Sequence, residues 1–191
     1  MRTRKRLALL RSFDFLIFDE CHYFFRDSSF NENTDKIFKY ALNHSNQIKI
    51  FASATPQPLF YSALKFKYKY NLPTNYSYIE KIVFYNDTSE IVDTIIKSDS
   101  KTLFFFSDVV KAFNFKNEYK EMTKFVCSRG NPLYPFSDKD TVKDIIDTST
   151  FNGKILATTS TLDNGINIID KDVKNVVIDF SDPVNIIQTL R

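Results

Sequence analysis

Asp19, Glu20 and His22 stand within four residues of one another, directly after the apolar run Phe15-Leu16-Ile17-Phe18. Two adjacent carboxylates at the end of a buried strand are costly to desolvate unless they meet a cation or a polar ligand. In open α/β sheets the carboxyl ends of strands are where ligands sit. The same Asp-Glu-Cys-His also reads as a strand running into an ordinary acidic loop, because a match this short is a hypothesis. Later runs repeat the arrangement. The strand-like stretch from Gln47 to Ala52 ends on Ser53-Ala54-Thr55-Pro56, and Lys101 to Phe106 ends at Ser107. Gly153 to Thr159 runs into Ser160-Thr161-Leu162-Asp163-Asn164-Gly165. Apolar strands that all terminate in Ser, Thr, Asp or Gly are the layout of a ligand site strung along one sheet edge.

The elements that must carry these residues follow from periodicity. Leu7 to Arg11 reads as the end of a helix feeding the first strand. Tyr23 to Asn33 reads as loop, and Thr34 can cap a helix through about Leu42, with Ile37, Phe38, Ala41 and Leu42 at helical spacing. Pro56 stops the second strand and can open a helix whose face holds Leu59, Phe60, Ala63 and Leu64. Lys65 to Pro73 alternates lysine with aromatics. That alternation fits an edge strand protected by lysines, or a strand that stacks bases and neutralises phosphates. Tyr78 to Tyr85 reads as strand, Thr88 to Lys97 and Asp108 to Phe115 as helices, and Lys124 to Val126 as a short strand. Asn131 to Pro135 reads as loop, and Ser137 can cap a helix through about Asp147. Asn175 to Asp179 is a further strand, and Asp182-Pro183 opens a last helix. Strands alternating with helices imply an α/β fold, a parallel sheet with helices on both faces.

The 191 residues suffice for one domain or two small ones. Hydrophobic residues at 43% and charged residues at 26% read as a soluble globular chain. A net charge of +3 is too small to identify a nucleic-acid partner, so phosphate binding would rest on local clusters. The amino-terminal cluster Arg2, Arg4, Lys5 and Arg6 reads as a solvated face or a phosphate contact. Leu7 to Leu10 is too short for a secretion signal, and no apolar run reaches the ~20 residues of a membrane span. Cys21 and Cys127 lie far apart; one disulfide is possible, but nothing suggests a disulfide framework or a paired-cysteine zinc site. An intracellular, reducing location in the cytoplasm is expected.

Four motifs stand in order: Asp19-Glu20-Cys21-His22, Ser53-Ala54-Thr55, Ala157 to Asn167 (ATTSTLDNGIN), and Gln188. Asp19 and Ser53 are 34 residues apart, and Gly165 and Gln188 are 23 apart. This order and spacing resembles a superfamily 2 DEAD/DEAH-box helicase of the DExH kind, from its second motif to the start of its sixth. DECHYFFRDSSFN and LDNGINI are similar to such helicases of low-GC Gram-positive bacteria and their mobile elements. The resemblance covers essentially the whole chain. It implies two RecA-like lobes with parallel sheets, the first partial and the second nearly complete. Residues 1–70 would belong to the first lobe, 71–86 to a linker and first strand, and 87–191 to the second.

The resemblance also implies roles. The parent would be an ATP-dependent helicase or translocase acting on DNA or RNA, with ATP and Mg2+ as cofactors. Asp19 would hold Mg2+ through water, Glu20 would orient the attacking water, and His22 would couple hydrolysis to movement. Cys21 occupies a variable position and would serve packing. Ser53 and Thr55 would bridge to the second lobe, although a strand-end turn with a helix cap explains the same hydroxyls. Thr159 and Ser107 would contact the nucleic-acid backbone. Gly165 would approach the nucleotide, and Asn167 stands where many relatives carry an Asp for the ribose. Asp163 and Asn164 also fit a turn before the glycine. Gln188 matches the sixth-motif glutamine, whereas Arg191 falls at the family's glycine position and is not its arginine finger.

No G-x-x-x-x-G-K-[ST] loop occurs, and the sequence has only three glycines. The chain therefore reads as a fragment lacking parts of a parent helicase. Its first lobe should expose sheet edges and apolar faces, and by itself it should turn over little or no ATP. Two other functions fit parts of the pattern. One is a catalytically dead, nucleic-acid-binding remnant; the other is an unrelated metal hydrolase built on Asp19, Glu20 and His22.

Overall fold

The computed structural model describes residues 9–26, 32–43, 46–73, 75–159 and 168–190. The chain forms two compact units, Met1–Asn75 and Tyr76–Arg191. Both are α/β, and every strand pairing within them is parallel.

In the first unit, strand β1 (Phe15–Phe18) pairs with β2 (Ile48–Phe51), Phe15 opposite Ile48 and Phe18 opposite Phe51. Helices α1 (Tyr23–Arg26), α2 (Glu32–Asn43) and α3 (Gln57–Phe60) accompany them. Side chains alternate across a strand, and here the two faces have different fates. Phe18 and Phe51 stack with ring centroids 4.9 Å apart and join Phe24, Phe38 and the buried Cys21 and Leu59 in a core. On the other face Phe15, Ile17, Ile48 and Ile50 are exposed, Ile17 by 70%. The bare apolar face expected from the sequence is thus present. Gln47 fixes the approach to β1: its amide nitrogen donates to the carbonyls of Leu10 and Phe13, and its oxygen accepts from the Tyr40 hydroxyl.

Several local expectations in this unit are corrected. Tyr23 to Arg26 is a helical turn, because Phe24 enters the core from it. Helix α2 begins at Glu32, ahead of Thr34. Helix α3 stops at Phe60, short of Ala63 and Leu64, because the amide and hydroxyl of Ser62 both donate to the Leu59 carbonyl and close a turn. Residues 65–70 join no strand, so the edge-strand reading falls.

The second unit holds a four-stranded sheet in the order β4-β5-β3-β6, with β3 Lys101–Phe106, β4 Thr123–Phe125, β5 Ile155–Thr158 and β6 Val173–Asp179. Its helices are α4 (Thr88–Lys97), α5 (Val109–Glu118), α6 (Lys139–Thr148) and α7 (Pro183–Thr189). On β3, Phe104 and Phe106 face one way and pack with Val92 and Ile95 of α4 and Ala112 and Phe115 of α5. Leu103 and Phe105 face the other way and meet Ile145 of α6. Helices therefore cover both faces, which is why these strands read as continuous apolar runs. Phe104, Phe125 and Phe151 are at most 1% exposed, and burial of each stabilises by about 1.5–3 kcal/mol.

Helix starts are fixed by carboxylates. Asp87, Asp108 and Asp138 each accept a backbone N–H from the first turn of α4, α5 and α6, a cap typically worth ~1 kcal/mol. Ser137 is not the cap of α6; its hydroxyl instead accepts the amide of Cys127 at 3.1 Å. Tyr78 to Tyr85 forms no strand, and Phe84 is 94% exposed. Tyr134–Phe136 is a short 3-10 turn where a loop was expected.

Candidate functional site

Strands β1 and β2 run parallel, so their carboxyl ends emerge side by side. The ladder continues just beyond them. The Ala52 amide donates to Phe18 and the Cys21 amide to Ala52, each at 3.0 Å. Glu20 is forced out between these two bonds and adopts φ 48°. A non-glycine residue in this left-handed region costs roughly 1–2 kcal/mol, and such strain concentrates at functional sites. Its own amide donates to Asp19 Oδ1 at 2.9 Å, which steadies the turn.

His22 is buried beneath this turn, 2% exposed. Its Nδ1 lies 2.9 Å from Ser53 Oγ and 3.2 Å from Glu20 Oε2. With the proton on Nδ1 the ring can donate toward both oxygens at once. Ser53 Oγ also accepts the Thr55 amide at 3.0 Å, and the Thr55 side chain is fully buried. The two strand ends are therefore joined by one hydrogen-bonded chain through Glu20, His22, Ser53 and Thr55. Beside it opens a cleft of ≈ 310 Å³ walled by Ile17, Asp19, Glu20, Tyr23, Thr34 and Ile37. Burial pushes the Cys21 thiol up to about 11, so at neutral pH it is an inert, packed thiol.

The second unit gathers a different set. Ser107 follows β3 and Thr159 follows β5, neighbouring parallel strands, so both stand at the same carboxyl edge. Two residues that sequence reasoning passed over complete the cluster. Ser107 Oγ donates to Asp179 Oδ2 at 3.1 Å, and Lys111 Nζ reaches Ser107 Oγ at 3.0 Å and Asp179 Oδ2 at 3.1 Å. The signals were available: Lys111 lies one helical turn after Ser107, and Asp179 ends an apolar strand just as Asp19 does. Burial, and then the Asp179 charge, raise the hydroxyl of the adjacent Tyr85, which donates to the Ile178 carbonyl.

Gly165 and Asn167, with Asp163 and Asn164, lie outside the described residues, as does the side chain of Gln188, whose backbone belongs to α7. Among the described residues no group of three or more His, Cys, Asp or Glu side chains is placed to hold a metal ion, and no helix is long and apolar enough to cross a membrane. No protein-family model, curated protein or solved structure matches the chain.

Proposed function

We propose that the chain is part of an ATP-dependent nucleic-acid helicase or translocase, its two units corresponding to RecA-like lobes. The observation that carries this reading is the hydrogen-bonded link from Glu20 through His22 to Ser53. It ties Glu20, the acid this reading assigns to the attacking water, to the neighbouring strand end, so a change at one is felt at the other.

The donor chemistry of the first unit suits magnesium. Mg2+ keeps most of its water and takes few protein ligands. Asp19 is exposed and commits Oδ1 to the Glu20 amide, leaving Oδ2 for a metal-bound water. When bound, the ion would supply positive charge against phosphate oxygens. Glu20 is held by His22 through Oε2, which leaves Oε1 to accept a hydrogen from water. In the second unit Ser107 and Thr159 offer hydroxyls, and Lys111 a cation, to a nucleic-acid backbone. Asp179 must yield Ser107 for that contact to form.

The test is perturbation of backbone amide resonances by ATP with and without Mg2+ in the purified chain. Binding should move the amides of Asp19 to His22 and of Ser53 to Thr55, and Asp19→Asn should abolish the magnesium-dependent part. Millimolar ATP that leaves those amides unmoved would sink the reading. The hydroxyls of Ser107 and Thr159 at one sheet edge, with the Lys111 ammonium 3.0 Å from Ser107 Oγ, also fit a second reading, a nucleic-acid-binding remnant without turnover. Salt-sensitive oligonucleotide binding that is indifferent to ATP would select it.

A further inference from the structure

From Lys36 to Ile79 the chain contains no Asp or Glu, and it carries Lys36, Lys39, Lys49, Lys65, Lys67 and Lys69. The first unit as a whole has twelve Lys and Arg against six Asp and Glu, whereas the second has fourteen against seventeen. The net charge of +3 thus conceals a basic unit and an acidic one. Within the basic unit, residues 65–70 are neither strand nor helix, although their alternation suits a strand. Tyr68 is 66% exposed and Tyr70 84%, and Tyr61 before them is 91% exposed. The Tyr68 and Tyr70 rings lie 6.4 Å apart, tilted by 33° to one another, and both are open to solvent for stacking.

The lysines are held against rings. Lys67 Nζ is 5.3 Å from the Tyr68 centroid, and Lys69 Nζ is 4.1 Å from that of Phe60. Among the described residues no ion pair includes Lys65, Lys67 or Lys69. An exposed ladder of aromatic faces and uncompensated ammonium groups on irregular backbone is the chemistry of single-strand binding. A membrane-surface segment would instead separate its apolar and basic side chains onto two faces of a helix.

We propose that Lys65–Tyr70 is a contact for single-stranded nucleic acid, in which Tyr68 and Tyr70 stack on bases and Lys65, Lys67 and Lys69 neutralise phosphates. It deepens the proposed function by adding a strand contact outside the motif residues. The experiment is fluorescence anisotropy of the purified chain with labelled oligo-dT and oligo-rU across a salt series, with anionic phosphatidylserine vesicles as a second arm. Tyr68→Ala with Tyr70→Ala should weaken oligonucleotide binding roughly tenfold or more, and the Phe pair should bind like wild type. Replacing the three lysines by Gln should reduce the salt slope by about 2. Oligonucleotide binding that ignores the Tyr and Lys changes overturns the contact and leaves the proposed function standing. Binding to vesicles but to neither oligonucleotide also overturns it. Tyrosine-dependent oligonucleotide binding in a chain whose Asp19 to His22 amides ignore MgATP upholds the contact while removing the ATP-dependent function.

Discussion

His22 Nδ1 and Ser53 Oγ lie 2.9 Å apart, although 31 residues separate them in sequence. The bond clasps the two turns that leave β1 and β2. Ser53→Ala removes it and the acceptor of the Thr55 amide together. Loss of a part-buried hydrogen bond of this kind costs about 1 kcal/mol. Amide exchange at Cys21, whose N–H bonds across to Ala52, should accelerate several-fold in Ser53→Ala and be restored in Ser53→Thr. Unchanged protection would show that the clasp contributes nothing to the turn.

Glu20 sits at φ 48°. Neither Gly nor Ala keeps its carboxylate, so the two variants differ only in backbone preference. Glu20→Gly should be more stable than Glu20→Ala by roughly 1 kcal/mol, read from urea denaturation of the first unit. At an ordinary helical or extended position the order would reverse, because glycine loses more chain entropy on folding.

Asp170 and Lys101 form an ion pair of 2.7 Å in which the Asp170 side chain is only 6% exposed. Burial alone would raise the carboxyl. The Lys101 ammonium and the Asp172 amide outweigh it and hold Asp170 below its ordinary value. The unfolded chain therefore binds this proton more readily than the folded one. The resulting stability is complete above the ordinary carboxylate range and is lost as pH falls through the depressed folded value. Lys101→Met strands a buried carboxylate and should destabilise the second unit by about 3–5 kcal/mol at neutral pH. The deficit should shrink in acid; a penalty independent of pH would refute the pairing as its cause.

Phe15 and Ile48 are directly paired and are 61% and 56% exposed. A contiguous apolar patch of this kind promotes association. Phe15→Thr with Ile48→Thr retains strand-compatible side chains while removing apolar surface. The double variant should elute as a smaller species at high concentration and bind less of a hydrophobic dye. Identical elution and dye binding would mean that the face is not sticky.

The parts of the fold that the sequence revealed are those where one physical signal dominates. Continuous apolar runs marked β3 and β5, since buried parallel strands need apolar side chains on both faces. The stripe Ile91, Val92, Ile95 and Ile96 marked α4 to its observed bounds. Alternation misled at Lys65 to Pro73, because period two sets the faces of a strand but supplies no neighbour to pair with, and the strand expected over Tyr78 to Tyr85 likewise finds none. The cap of α6 moved from Ser137 to Asp138 because the serine hydroxyl is used by Cys127. At the site, Asp19, Glu20, His22 and Ser53 were legible as strand-end residues. Their mutual distances, the left-handed Glu20 and the Lys111–Asp179 pair were not, because each depends on which strand ends become neighbours.

The two thiols are distributed one to each unit, Cys21 in the first and Cys127 in the second, and both are buried. Neither meets a reagent in solution until its own unit opens. Alkylation of the intact chain therefore reads the opening of each unit at its own thiol. The mass of a singly labelled peptide identifies which unit unfolded, and its rate reports how often, with no engineered probe on either side.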